Sequence, residues 1–309
     1  MASEALVITG PTASGKSAVA LEVARRLGGE IISMDSRQVY RGMDIGTAKP
    51  SPAERAALPH HGLDLVDPDE RYSAGQFARD ARRWIGGVRA RGRVPVVVGG
   101  TGFFLRALTT PLFAEPPLDP VRREALKRWL RAQPAEALAR WTAALEPAGA
   151  ARGQDPQRRA RRLEVALLTG RTLEWWHAHA PPASPGIAAA VFVLELPRSE
   201  LNARIDARVH AMVAAGLLEE VRGLVRRGYD EAAPGMNATG YIELLRHLAG
   251  ETTLEDAVAQ IQTHTRRFAR RQATWFRHQL PAAAVRLDAR ADSAALAGRV
   301  VAEWRRVQG

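Results

Sequence analysis

Residues 6–23 read LVITGPTASGKSAVALEV, and no other stretch narrows so far the folds open to this chain. An apolar run from Leu6 to Ile8 leads into Gly10, Pro11, Thr12, Ala13, Ser14, Gly15, Lys16 and Ser17, and a small-residue helical pattern follows through Leu21 and Val23. This is G-x-x-x-x-G-K-[ST] set between a strand and a helix, the spacing of a loop that wraps phosphates. Glycines let successive amide N–H groups turn inward on an anion, and the helix start adds partial positive charge. In such a loop Lys16 reaches the outer phosphates and the Ser17 hydroxyl is a magnesium ligand. The pattern predicts bound phosphates without saying whose they are or what reaction they serve.

Strand-like runs recur at residues 6–9, 30–34, 94–98 and 190–196, with helical patterns over 17–27 and 74–91. Strands alternating with helices predict a parallel sheet covered on both faces. Residues 41–73, rich in Gly, Pro, Asp and His, read as an excursion over the carboxyl edge of that sheet. From Glu115 the strand signal stops: "EPPLDP" opens and "HAPPASPG" closes a run of helical patterns. An all-helical insert over 115–187 is therefore expected to split an α/β core made from residues 1–114 and 188–309. Beyond it the chain reads as helical, apart from residues 228–241 and an apolar segment at Val285–Leu287.

Composition removes several chemistries. There is no cysteine in the 309 residues, which excludes disulfides, Cys-based zinc sites and thiol nucleophiles and fits a reducing compartment. No apolar run reaches the length of a membrane span, and a strand beginning by residue 5 leaves no room for a signal peptide, so a cytoplasmic location is expected. The net charge of +11 fits a polyanionic partner, although a bias toward Ala and Arg accounts for it equally well. Against that bias the three lysines, Lys16, Lys49 and Lys127, stand out. A compact ammonium at position 16 slips between phosphates where a broad guanidinium does less well; Lys49 draws a weaker interest of the same kind.

Other constellations surround the loop. The second strand runs into "ISMDSRQVYRGMDIGTAKP", placing Asp35 where parallel sheets hold ligands; an Asp–Ser pair is equally a turn or helix cap. The third strand ends in Gly99-Gly100-Thr101-Gly102, either a second anion-contacting edge or an ordinary strand-to-helix turn. No Asp closes that strand, which argues against ordinary nucleotide hydrolysis. Arg204 and Arg208 lie four apart on one helix face, near an anion or simply solvated. Leu254, Val258, Ile261, Phe268 and Trp275 form an apolar stripe. Arg266, Arg267, Arg270, Arg271 and Arg277 flank it, as a shoulder for phosphates or a solvated face. His60–His61 and His177/His179 have no carboxylate cluster beside them and read as turn or surface residues, not zinc ligands.

GPTASGKS, MDSRQVYRGMDIGTAKP, VVVGGTGFFLRAL, DPQRRARRLEV and TRRFARRQATWFR, in this order and at these separations, resemble the bacterial tRNA dimethylallyltransferases over essentially the whole chain. The resemblance implies a core like that of phosphate-loop NTPases, a nucleotide-type phosphate site and, as the reaction, transfer of a dimethylallyl group from its diphosphate. The acceptor is the exocyclic 6-amino group of the adenosine immediately 3′ of the anticodon, in tRNAs reading codons that begin with U. The loop then holds a leaving group. By the same resemblance Asp35 is the general base, Thr101, Lys16 and Arg208 serve the diphosphate, and Ser17 holds Mg2+. Contacts to the tRNA anticodon stem-loop are implied for Asp35, Ser36, Arg37, Gln38 and Thr101 in the core. In the insert they are implied for Arg123, Gln157, Arg158, Arg159, Ala160 and Arg161. A monomer with no membrane association is expected. Two departures stand out: Ile242 replaces an expected basic residue, and Gln154 stands where an asparagine is usual. Competing readings are prenylation of a free adenine nucleotide, a small-molecule kinase, and a non-catalytic RNA-binding protein.

Overall fold

The computed structural model describes residues 3–113, 118–146, 155–180 and 182–308. Two compact units result, one of residues 1–110 with 186–309, the other of residues 111–185. The expected boundary at 114/115, and Gln154, fall outside the described residues.

The first unit opens with β1 (Ala5–Thr9), α1 (Lys16–Leu27), β2 (Glu30–Ser33), α2 (Pro52–Ala57) and β3 (His60–His61). It continues through α3 (Ala74–Ala90), β4 (Pro95–Gly99) and α4 (Gly102–Thr109). The second unit holds β5 (Leu112–Phe113), α5 (Pro120–Arg131), α6 (Ala135–Leu145), α7 (Pro156–Thr169), α8 (Leu173–His179) and β6 (Pro182–Ser184). The chain then returns to the first unit as β7 (Ala189–Glu195), α9 (Arg198–Ala214), α10 (Leu217–Arg226) and α11 (Tyr241–Leu248). It ends with α12 (Leu254–Gln279), β8 (Val285–Asp288) and α13 (Ser293–Gln308).

Six strands form one parallel sheet in the order β3-β2-β4-β1-β7-β8. β1 lies between β4 and β7, with Leu6 opposite both Val96 and Ala190, and every one of its residues is buried. That two-sided burial is why Ala5–Thr9 reads as a continuous apolar run with no alternation. From β1 the chain steps past the β4 position to β2, returns as β4, and later builds the other side with β7. The strand order thus reverses beside β1, where α/β sheets open a crevice at their carboxyl ends. Glycine is required at that edge: a Cβ on Gly99 would lie 1.9 Å from the Met34 carbonyl oxygen.

Helices cover both faces. α1 and α13 meet over one, where Val19, Val23, Leu296, Val300 and Trp304 pack on Leu6 and Ile8. α3 begins with a capping box in which Ser73 and Gln76 satisfy each other's backbone, and it buries Phe77, Ala81, Ile85 and Val88 along one face. The helices after β7 share a core of Ile205, Val209, Leu217, Val221, Tyr241, Leu244 and Ile261 with Val39, Tyr40 and Met43 from the segment after β2.

Several expectations change. Residues 41–73 are no simple excursion: α2, with its own Ser51–Glu54 capping box, and β3 lie within them. His60 and His61 pair with Ile31 and Ile32 as an edge strand, and His61 Nε2 sits 2.7 Å from the buried Glu30 carboxylate. A two-residue strand has no periodicity to betray it. The insert is helical around Leu130, Leu138 and Leu163, but its two ends also pair as the antiparallel β5–β6 ladder. Among the described residues no helix is long and apolar enough to cross a membrane.

Candidate active site

A cavity of about 230 Å3 opens at the carboxyl end of the sheet. Thr12, Lys16 and Ser17 of the glycine loop line it, together with Asp35, Gln38 and Arg208. The loop geometry follows from its residues. Gly10 and Gly15 take φ of 150° and 86°, and Gly15 directly precedes α1. The non-glycine Ala13 is also held at positive φ, 62°, an uncommon conformation that the loop imposes. The Ser14 hydroxyl is buried and without a hydrogen-bond partner among the described residues. A buried, unpartnered donor in a concave loop fits a ligand rich in acceptors.

Lys16 is partly buried, with Nζ 3.2 Å from the Pro11 carbonyl oxygen. Burial lowers its pKa to about 8; nearby Arg208 pushes the same way, and Asp35 opposes both. Arg208 is likewise held below the usual guanidinium range by burial, against the attraction of Asp35. Lys16, Arg208 and Asp35 thus act on one another inside a single cleft. Arg204, one turn earlier on α9, is exposed; its Nη1 lies 3.9 Å from where a Gly15 Cβ would stand, and its Nη2 donates to the Ala289 carbonyl.

At the end of β2 both readings of Asp35 hold at once. Oδ1 accepts from the Arg37 amide at 2.8 Å, capping the turn, while the carboxylate still lines the cavity. Thr101 is the residue before α4 but does not cap it; its Oγ1 instead accepts from the Ser36 amide at 3.1 Å, tying the ends of β2 and β4 together. The Arg37 side chain donates to the Pro234 carbonyl, and Gln38 is spent internally, accepting from Ser33 Oγ and donating to the Thr47 and Ala48 carbonyls.

Lys49 proves to be a strut. Its side chain is 1% exposed, and Nζ reaches the Tyr40 carbonyl at 2.5 Å, Asp44 at 2.7 Å and Asp64 at 2.5 Å. Glu220 on α10 holds the same loop, accepting from the amides of Asp44, Ile45 and Gly46 and from the Tyr241 hydroxyl.

α12 keeps the first half of the expected stripe, with Ile261 buried and Leu254 and Val258 packed against the same core, and departs from it at Phe268. The buried positions are Ala257, Ile261, Ala269, Gln272 and Phe276, while Phe268 is 41% exposed and lines the cavity. Weighing only large apolar residues misplaces Phe268, because two alanines and a glutamine form part of the packed face. Arg267, Arg270, Arg271 and Arg277 are exposed, whereas Arg266 is tied to Asp206 on α9 at 2.7 Å. Sequence reasoning passes over Gln272: Thr12 N donates to its Oε1 at 2.8 Å, and its Nε2 donates to the Gly100 carbonyl at 2.8 Å. The signal available for it is a polar residue inside a helical face.

Within the insert, Arg123 and Arg161 both reach the buried Glu164, each at 2.6 Å. Ala160 packs against the small core of Leu130, Leu138 and Leu163. Gln157 and Arg158 are exposed, and Arg159 partly so.

A phosphate-wrapping loop at the carboxyl edge of a parallel sheet, with cations and a carboxylate facing one cavity, defines a phosphate-loop α/β protein equipped for group transfer. The model of the IPP transferase family matches residues 38–279, and that of isopentenyl transferases residues 3–61. The tRNA dimethylallyltransferase of Anaeromyxobacter sp. strain K is 49% identical over 89% of this chain and 90% of its own. That of Bradyrhizobium sp. strain BTAi1 is 48% identical over 90% of this chain and 92% of its own. Among solved structures, the tRNA isopentenylpyrophosphate transferase of Bacillus halodurans superposes with a TM-score of 0.70 at 34% identity, covering 98% of both chains. A eukaryotic dimethylallyltransferase acting on tRNA gives 0.78 at 26% identity, over 92% of this chain and 73% of its own. The chain belongs to the IPP transferase family.

Proposed function

We propose that this protein transfers the dimethylallyl group of dimethylallyl diphosphate to the exocyclic 6-amino group of the adenosine 3′ of the anticodon in tRNAs reading U-starting codons. The observation that carries the reading is the meeting of Lys16, Arg208 and Asp35 at one cavity. As the allylic C–O bond breaks, positive charge grows on carbon and negative charge on the departing diphosphate. Lys16, Arg208 and the loop amides stabilise that anion where it forms. The adenosine amine forms the new C–N bond and gives its proton to Asp35, whose Oδ1 stays anchored on the Arg37 amide. Thr101 fixes the strand end that carries Asp35 through the Ser36 amide. Extrusion of the base from the anticodon loop brings the amine to the cleft without breaking a base pair.

Magnesium fits this donor set as an ion shared with substrate. Among the described residues no cluster of three or more His, Asp or Glu could hold a metal alone, while the Ser17 hydroxyl is exposed beside the loop. A hard cation that keeps its waters and takes substrate oxygens needs no more from the protein. Bound there, it would neutralise charge on the leaving diphosphate. The exposed arginines of α12 and Gln157, Arg158 and Arg159 of the insert supply the contacts to the anticodon stem-loop.

The test supplies magnesium, labelled dimethylallyl diphosphate and total tRNA, with AMP and ATP as parallel acceptors. Label is expected in tRNA alone, and Asp35→Ala should lower kcat by about 10²–10⁴-fold. Label in free nucleotide, or ATP consumption without transfer, would replace the reading.

A further inference from the structure

We infer that Gln272 is a positioning residue that holds the two anion-contacting edges of the cleft at their working separation and fastens both to the basic helix. Two loops meet at the carboxyl edge, one following β1 and the other following β4, and no covalent path shorter than the whole β2–α3 excursion joins them. The Gln272 carboxamide spans the gap directly. Its oxygen accepts from Thr12 N in the first loop, and its nitrogen donates to the Gly100 carbonyl in the second, both at 2.8 Å. The residue is 8% exposed and lines the cavity; its bond to Gly100 is buried and its bond to Thr12 partly so.

The chemistry of the gap specifies the side chain. One side presents an N–H and the other a C=O, so the bridging group must accept and donate at once. A carboxylate cannot donate, an ammonium cannot accept, and an apolar residue would leave the buried Gly100 carbonyl and the part-buried Thr12 amide unpaired. The fit is tight as well: a Cβ on Gly100 would lie 2.4 Å from Gln272 Nε2. Glycine at position 100 is thereby explained by the carboxamide it receives, with the Gly10 carbonyl oxygen a looser second neighbour at 3.3 Å, separately from any anion contact.

The helix that carries Gln272 is itself anchored. Arg266 binds both oxygens of Asp206 on α9, at 2.7 and 2.9 Å, and Asp206 lies two residues from Arg208. α12 therefore fixes the glycine loop, the second loop and the arginine helix in one frame. Its exposed arginines, Arg267, Arg270 and Arg271, project from the same rigid element.

The inference rests on the transfer reading for its meaning, but its test does not need transfer. Inorganic pyrophosphate binding is measured by calorimetry, with thermal melting, for wild type, Gln272→Ala, Gly100→Ala and the double variant; KM for dimethylallyl diphosphate and for tRNA follows. Each single variant should weaken pyrophosphate binding and raise the diphosphate KM by about tenfold, with the tRNA KM changed less than about twofold. Gly100→Ala probes the same contact with the glutamine in place, so a poorly folding Gln272→Ala leaves the test standing. In the double variant the new methyl occupies the space the carboxamide left, so it should be no worse than Gln272→Ala alone. Lower melting temperatures with unchanged pyrophosphate affinity, or additive losses in the double variant, would overturn the inference. A wild type that binds pyrophosphate yet labels no tRNA would overturn the transfer reading and leave this one intact.

Discussion

Lys49→Met is the substitution whose outcome the structure specifies most closely. The ammonium sits 1% exposed among three acceptors: the Tyr40 carbonyl, Asp44 and Asp64. Methionine, one atom shorter, keeps most of the length and the burial and removes all three bonds. Asp44 is 57% exposed, so its share is that of a surface pair, about 0–1 kcal/mol. Asp64 is 34% exposed and keeps Arg55 at 2.8 Å, so losing Lys49 should remove roughly 1–3 kcal/mol. The orphaned Tyr40 carbonyl adds about 1–2 kcal/mol. Together these come to about 2–6 kcal/mol, which brackets the range for breaking a buried pair from one side. For a unit of this size that lowers Tm by roughly 10 °C, measurable by calorimetry. The pH dependence carries a second signature. Burial alone would raise Asp64, and Lys49 and Arg55 outweigh it, holding the carboxyl below its ordinary range. Its stabilisation is therefore complete above the unfolded carboxylate pKa and is lost as pH falls through the lower folded value, so the two proteins should converge in acid. A variant with wild-type Tm that binds pyrophosphate poorly would refute the strut and make Lys49 a substrate contact.

Two further outcomes follow from the cleft. Free-protein affinity for pyrophosphate, corrected for the ligand's own ionisation, should fall as pH rises through about 8 and Lys16 loses its proton; Arg208→Gln should move that inflection upward and Asp35→Asn downward. The stability sign is opposite to that of Asp64: the depressed Lys16 disfavours the folded state at neutral pH, and the penalty lifts as pH rises from about 8 towards the unfolded lysine value. On α12, Arg270→Ser with Arg271→Ser should weaken tRNA binding and reduce the slope of log K against log salt by about one for each phosphate left without its arginine; an unchanged slope in filter binding would remove these arginines from the tRNA surface.

Legibility in the sequence tracks how far each feature depends on its own neighbours. Ala5–Thr9, Glu30–Ser33 and Pro95–Gly99 are strands buried on both sides, so their apolar runs announce them. The loop after β1 is local too, its glycines and Lys16 fixed by spacing. Asp35 is readable because strand ends are where such sheets work. Lys49 stands out by its rarity, but its three acceptors come from residues 40, 44 and 64, and no spacing rule brings those together. Arg123 and Arg161 are each bonded to the buried Glu164, a pairing that their spacing in the sequence does not show. On α12 the stripe of large apolar residues puts Phe268 inside, whereas packing selects Ala269 and Gln272. Gln272 cannot be assigned from the sequence because both its partners lie more than 170 positions away.

The chain leaves the sheet after α4 and returns before β7 at almost the same point: Ile187 N donates to the Leu108 carbonyl, and a Cβ on Gly186 would fall 2.1 Å from the Thr109 carbonyl oxygen. Departure and return are thus stitched together inside the first unit, and residues 111–185 hang from that stitch as a closed loop. Because closure entropy grows only with the logarithm of loop length, about 0.6 kcal/mol for each doubling, the parallel sheet is nearly indifferent to how much chain the loop contains. What hangs there can therefore be lengthened, trimmed or rebuilt while β1 and β7 stay in register.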